Sequence, residues 1–109
     1  MQRIIDMASI IEVAEGLLEQ AVNEEIIYTI TTTNFGSSPS TSSASAVDLT
    51  TGQTVTTTVF PTNTPSEAGD VITLSALKSL VKGHKYEIRV KFTSGSNIFE
   101  CLFYVECVA

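Results

Sequence analysis

His84 is the only histidine in the chain and the first residue to test for chemistry. With a single imidazole, neither a two-histidine metal site nor a hydrolytic triad can be built with redundancy. Standing two residues before Tyr86, where a strand begins, His84 reads as structural. The carboxylates Glu24, Glu25, Asp48, Glu67 and Asp70 fall in loops or at strand ends. They could offer oxygens to Ca²⁺, but no regular Asp-x-Asp-x loop accompanies them. The Ser/Thr-rich loops have no base nearby in sequence to activate a hydroxyl, and Gly-rich phosphate loops are absent. Tyr28, Phe35 and Tyr104 could form a stacking platform for a sugar, yet there is no Trp, and such residues serve more often in a core or an interface. The residue types therefore predict no enzyme: no catalytic residue, no cofactor and no metal ligand set.

Composition narrows the class further. A chain of 109 residues is one domain with a single modest core. Hydrophobic residues make up 43% and charged ones 17%, a folded rather than a disordered balance. The net charge of −6 comes without a basic cluster, so nucleic acid, whose phosphates require Lys and Arg on one face, is not an expected partner. Cys101 and Cys107 lie in one predicted strand, roughly 20 Å apart at the usual rise per residue. A disulfide requires Cα atoms within about 7 Å. The two thiols are therefore expected to be buried, free and suited to assembly in a reducing compartment. Asp6 and Glu12 interrupt the first apolar run, which does not read as a signal peptide. No apolar run approaches the length of a membrane span.

The elements that must position these residues are clearest near the C-terminus. From 84 to 93, His84, Tyr86, Ile88, Val90 and Phe92 alternate with Lys85, Glu87, Arg89, Lys91 and Thr93, a strand with one dry and one wet face. Ser94-Gly95-Ser96 turns the chain, with Gly95 free to take positive φ. The return arm places Phe99, Cys101, Phe103, Val105 and Cys107 inward, and Ile98, Glu100, Leu102, Tyr104, Glu106 and Val108 outward.

Residues 1–24 have a different character. Ile4, Ile5, Ala8, Ile11, Ala14, Leu17 and Leu18 recur at three- and four-residue steps, and Ser9 with Glu12 fits a capping box. An amphipathic, helical arm is expected, with Gly16 and the β-branched residues leaving an extended form open. Beyond it, residues 25–109 read as one β domain. Strands are expected at 25–33, 46–49, 54–60 (Val55, Thr57 and Val59 inward) and 70–74, with polar loops at 34–42 and 61–69. With the hairpin, about six or seven short strands make an antiparallel sandwich.

The spacing Leu80-x-x-Gly83-x-x-Tyr86-x-Ile88-x-Val90 resembles the tyrosine corner of immunoglobulin-like and fibronectin-III-like sandwiches. That resemblance implies a Tyr86 hydroxyl bonded to backbone a few residues upstream. A wider set of segments includes Glu24-Glu25-Ile26, the Pro39 loop, Val47-Asp48, Gly69-Asp70-Val71-Ile72-Thr73-Leu74 and Asn97 to Glu106-Cys107. Taken together they resemble the small immunoglobulin-like proteins that phages and prophages encode among their virion assembly genes. Two features depart from that pattern: the helical-looking arm, where an extended segment is usual, and the missing Trp. The resemblance implies a non-catalytic decoration, neck or tail accessory subunit, assembled in the bacterial cytoplasm and resident in the virion. It would bind protein partners, itself included, as a homo-oligomer, without nucleic acid or membrane. Candidate interface residues are Ile4, Ile11 and Leu18 on the arm, and Ile98, Leu102 and Tyr104 on the last strand. The alternative is a bacterial cell-surface or secreted adhesive module of the same fold, binding carbohydrate.

Overall fold

Alternation of apolar and charged side chains makes the C-terminal hairpin the centre of the molecule. The computed structural model describes residues 11–33 and 36–109, and of 11–16 only the backbone. Ile4, Phe35, the capping pair's Ser9 and the side chain of Ile11 thus lie outside the described residues. The chain runs β1 (Ile11–Ala21), β2 (Thr29–Thr31), β3 (Ser40–Asp48), β4 (Gln53–Thr54), α1 (Thr56–Val59), β5 (Ser66–Ala68), β6 (Val71–Thr73), β7 (Lys85–Ser94) and β8 (Asn97–Val108). It is mainly β, in two sheets. The larger is ordered β1-β8-β7-β3-β4 and the smaller β2-β6-β5. β7 and β8 pair antiparallel from Lys85↔Glu106 to Ser94↔Asn97. Gly95, at φ +61, takes the first of the two loop positions, the one a type II′ hairpin turn gives to glycine.

Apolar side chains fill the space between the sheets. Tyr86, Ile88, Val90 and Phe92 of β7 and Cys101, Phe103, Val105 and Cys107 of β8 are buried, as are Ile30 and Ile72 of the smaller sheet. Leu74, Leu77 and Leu80, from the segment leading into β7, complete the core with Val59 and Phe60. The inward and outward sets expected for the hairpin are those observed.

Other elements differ from the sequence reading. Residues 11–21 are a strand, not a helix: β1 lies parallel to β8, with Leu18 opposite Val105 and Gln20 opposite Cys107. Leu18 and Gln20 turn inward while Leu17 and Glu19 are exposed, a period of two that the larger apolar spacing conceals. The open edge of β8 supplies the backbone partners, and Gly16 weakens the competing helix. The expected strand at 54–60 is a helical turn after Thr54. Val55 C=O accepts the N–H groups of Thr58 and Val59, and Thr56 Oγ1 accepts the Ala46 N–H at 3.0 Å. Val59 and Phe60 are consecutive and both buried, whereas Thr57 is exposed, a pairing no strand provides. The 25–33 strand shrinks to β2 and an isolated bridge between Ile26 and Leu77. The two polar loops each end in strand, at Ser40 and Ser66.

Candidate functional site

Asp48 ends β3 because the turn after it needs an acceptor. Its Oδ1 accepts the N–H groups of Thr50 (2.9 Å) and Thr51 (3.3 Å), and its carbonyl accepts that of Gly52 at 2.7 Å. Oδ2 is left for His84, whose Nδ1 lies 2.7 Å away. An ionised carboxylate can only accept, so Nδ1 carries the proton. Burial pushes the Asp48 carboxyl up, but the His84 bond, the two turn N–H groups and the His84 charge outweigh it, and the group sits below the ordinary Asp value. An Asp that orients a His is half of a hydrolytic triad. The two hydroxyls in this turn instead accept backbone N–H groups, Thr50 Oγ1 that of Lys85 at 3.0 Å and Thr51 Oγ1 that of Gln53 at 3.3 Å. The pair thus clamps the β3–β4 turn to the start of β7, beside the corner. There Tyr86 Oη accepts the Val81 N–H at 2.8 Å, Leu80 is buried, and the Gly83 N–H reaches the Cys107 carbonyl at 2.9 Å.

A second polar cluster is built on Gln20, 1% exposed. Its Nε2 donates to the carbonyls of Leu77 (2.7 Å) and Glu24 (3.0 Å), and its Oε1 accepts the Tyr28 hydroxyl at 2.9 Å. The amide joins β1 to the β1–β2 turn and to the segment before the corner. Tyr28 packs on Phe103 with ring centroids 5.2 Å apart, while Tyr104 is on the opposite face of β8. Those two rings therefore do not share a sugar platform.

The remaining acidic candidates also bond to their own chain. Glu67 Oε2 accepts both the N–H and the hydroxyl of Ser42, and those bonds hold its carboxyl below the usual Glu value despite burial. Asp70 accepts the Thr33 hydroxyl (3.0 Å) and the Ser38 N–H (2.9 Å), Glu24 accepts the Ala21 N–H (2.8 Å), and Glu25 stands 3.5 Å from Lys78. Among the described residues no group of three or more His, Cys, Asp and Glu could hold a metal ion. No helix among them is long and apolar enough to cross a membrane.

The outer face of the larger sheet is a further surface to weigh. Strand registers set its rows: Glu19, Glu106 and Lys85; Leu17, Tyr104, Glu87 and Val47; Leu102, Arg89 and Ser45; Glu100, Lys91 and Ser43; Ile98 and Thr93. Ile98 is 70% exposed and Leu17 39%. Two of the expected interface residues are less open than the sequence reading had them. Leu18 packs against the core. Leu102, though outward-facing, is only 8% exposed, because it sits between Arg89 and the irregular stretch of β1 between Glu12 and Leu17. Tyr104 is half-buried. Arg89 binds Glu87 at 2.9 Å and reaches Glu100 at 4.0 Å.

No protein-family model, curated protein or solved structure matches the chain. Its own surfaces therefore carry the functional reading. The linear pattern does not announce the Gln20 hub or the Asp48–His84 clamp. A faint signal existed for each. Gln20 is a polar residue at an inward position of a two-residue period, and Asp48-x-x-x-Gly52 spells a turn whose carboxylate faces its own N–H groups.

Proposed function

We propose that this chain is an immunoglobulin-like sandwich that works by protein–protein association, as a virion accessory subunit encoded by a phage or prophage. The observation that carries the fold part is strand order. With β2, β3, β4, β5, β6, β7 and β8 taken in turn as B, C, C′, D, E, F and G, the two sheets read G-F-C-C′ and B-E-D. That order matches the immunoglobulin arrangement with one extra strand beside C, which supports this reading. The tyrosine bond at the E–F corner stands where that fold has it. Over residues 11–21 the arm is extended along the edge of β8, which supports the virion pattern for that stretch.

A sandwich fold by itself hosts many functions. Association is favoured here by a sheet face bearing exposed Leu17 and Ile98, with the polar clusters elsewhere committed to holding turns. The virion part of the proposal rests on the sequence resemblance. The test is direct. Particles released by prophage induction from the strain carrying the gene, banded by density and analysed by mass spectrometry, contain this chain in a fixed ratio to the major capsid or tail protein. Its absence from banded particles, with the chain present in the lysate, overturns the assignment.

A further inference from the structure

We infer that two copies of this chain dock through the outer face of the larger sheet, about a two-fold axis running along the strands midway between β7 and β8. The inference rests on the association reading above and specifies its geometry. Of the six Lys and Arg in the chain, three (Lys85, Arg89 and Lys91) project from this face of β7. Their row partners on β8 are Glu106, Leu102 and Glu100, and Glu19 of β1 lies beyond Glu106. With Glu87 between Lys85 and Arg89, the face has a mostly cationic β7 column beside an acidic and apolar β8 one. In a chain of net charge −6, these three cations stand among the carboxylates of the same face, so opposite charges can meet across a self-contact.

A two-fold axis between the columns exchanges them while keeping the rows. Lys85 of one copy then meets Glu106 of the other, and Lys91 meets Glu100, each twice by symmetry. In the row of Tyr104 and Glu87, phenol meets carboxylate, and exposed Leu17 of β1 meets half-buried Val47 of β3. Lys85 and Lys91 are exposed and have no ion pair among the described residues, so both are available to a partner. An axis laid across the strands at the level of Arg89 does worse, since it sets Arg89 against Arg89. Face-to-face sheets pack with strands aligned to about 30°, which preserves the matches nearest the axis.

The test uses two single reversals, Lys85→Glu and Glu106→Lys, on the full chain. Far-ultraviolet circular dichroism and thermal midpoints establish that each is folded. Sedimentation equilibrium at low salt is expected to show a wild-type dimer, weakened by added salt. Each single variant should dimerise about tenfold or more less tightly, because every homodimer then holds two like-charged contacts. Mixed in equal amounts, the two variants should regain wild-type affinity as a heterodimer, in which both contacts are opposite in charge. Lys85 and Glu106 are also row partners within one chain, and mixing cannot cure an intrachain repulsion, so rescue reports the contact between copies. A monomer at all concentrations, a dimer indifferent to both reversals, or a mixture that stays weak overturns the inference. In the second and third cases association itself survives through another surface, and banding of particles judges the virion role independently.

Discussion

At the scale of single residues, two buried polar contacts decide more than any exposed one. Tyr86 is 1% exposed and its hydroxyl takes the Val81 N–H. Tyr86→Phe keeps the ring and deletes the bond, so a loss of about 1 kcal/mol is expected in urea unfolding, with an unchanged slope. Asp48 answers to pH. Its folded carboxyl titrates below its ordinary value, so its contribution is complete above the unfolded value of about 3.9 and disappears as pH falls through the lower, folded one. Glu67, also held low by the Ser42 bonds, acts in the same direction. Stability should therefore drop as acid is added below about pH 4. Asp48→Asn should be less stable at neutral pH, by about 1.5–3 kcal/mol for a bond to a charged group, and should show a shallower acid slope. An acid limb identical to wild type would remove Asp48 from this account.

Elements are tied together by side chains distant in sequence. Gln20 bonds the Leu77 carbonyl and the Tyr28 hydroxyl. In Gln20→Ala both lose a buried partner, at about 1–3 kcal/mol. Hydrogen exchange should then show β1 opening before the rest of its sheet, because among the described residues its only neighbour there is β8. Gly36 illustrates a different constraint. A Cβ there would lie 3.0 Å from Phe92 Cε2 and 3.1 Å from Phe99 Cδ2. Phe92 is fully buried and cannot swing away. Gly36→Ala should cost about 1–3 kcal/mol by overpacking, measured as a lowered denaturation midpoint. The linear chain hints at a polar inward Gln20 but names no partner for either residue, since each depends on one more than fifty positions away. What was legible was local. The β7–β8 hairpin has charges on one face, apolar residues on the other and a glycine at the turn, so pattern and tertiary structure agree. In β1 and at 54–60 they conflict. Apolar residues at helical steps joined a sheet because β8 had an open edge, and a β-branched run wound into a turn because Val59 and Phe60 both needed burial. The Asp48–His84 clamp stayed hidden for the same reason, its halves being brought together only when β3 and β7 pair.

At the scale of the whole molecule, the first and last described strands lie together: β1 lies against β8, and β8's inner face lies beneath the smaller sheet. The two thiols sit on that inner face, Cys101 at 0% exposure and Cys107 at 1%. Burial, and then the Glu100 charge, pushes the Cys101 thiol up to about 12, and burial raises Cys107 as well. The thiolate is the form that reacts with an alkylating agent, so neither group should react in the folded state at neutral pH. Detaching β1 would free an edge of β8 but leave its inner face covered, so labelling requires the sheets to part. Both cysteines should therefore be modified at one common rate. That rate should rise with urea along the slope of global unfolding, as mass spectrometry of timed iodoacetamide reactions would show. If Cys101 reacted well ahead of Cys107 with little urea dependence, the hairpin would be opening locally, and the two sheets would not unfold as a single cooperative unit.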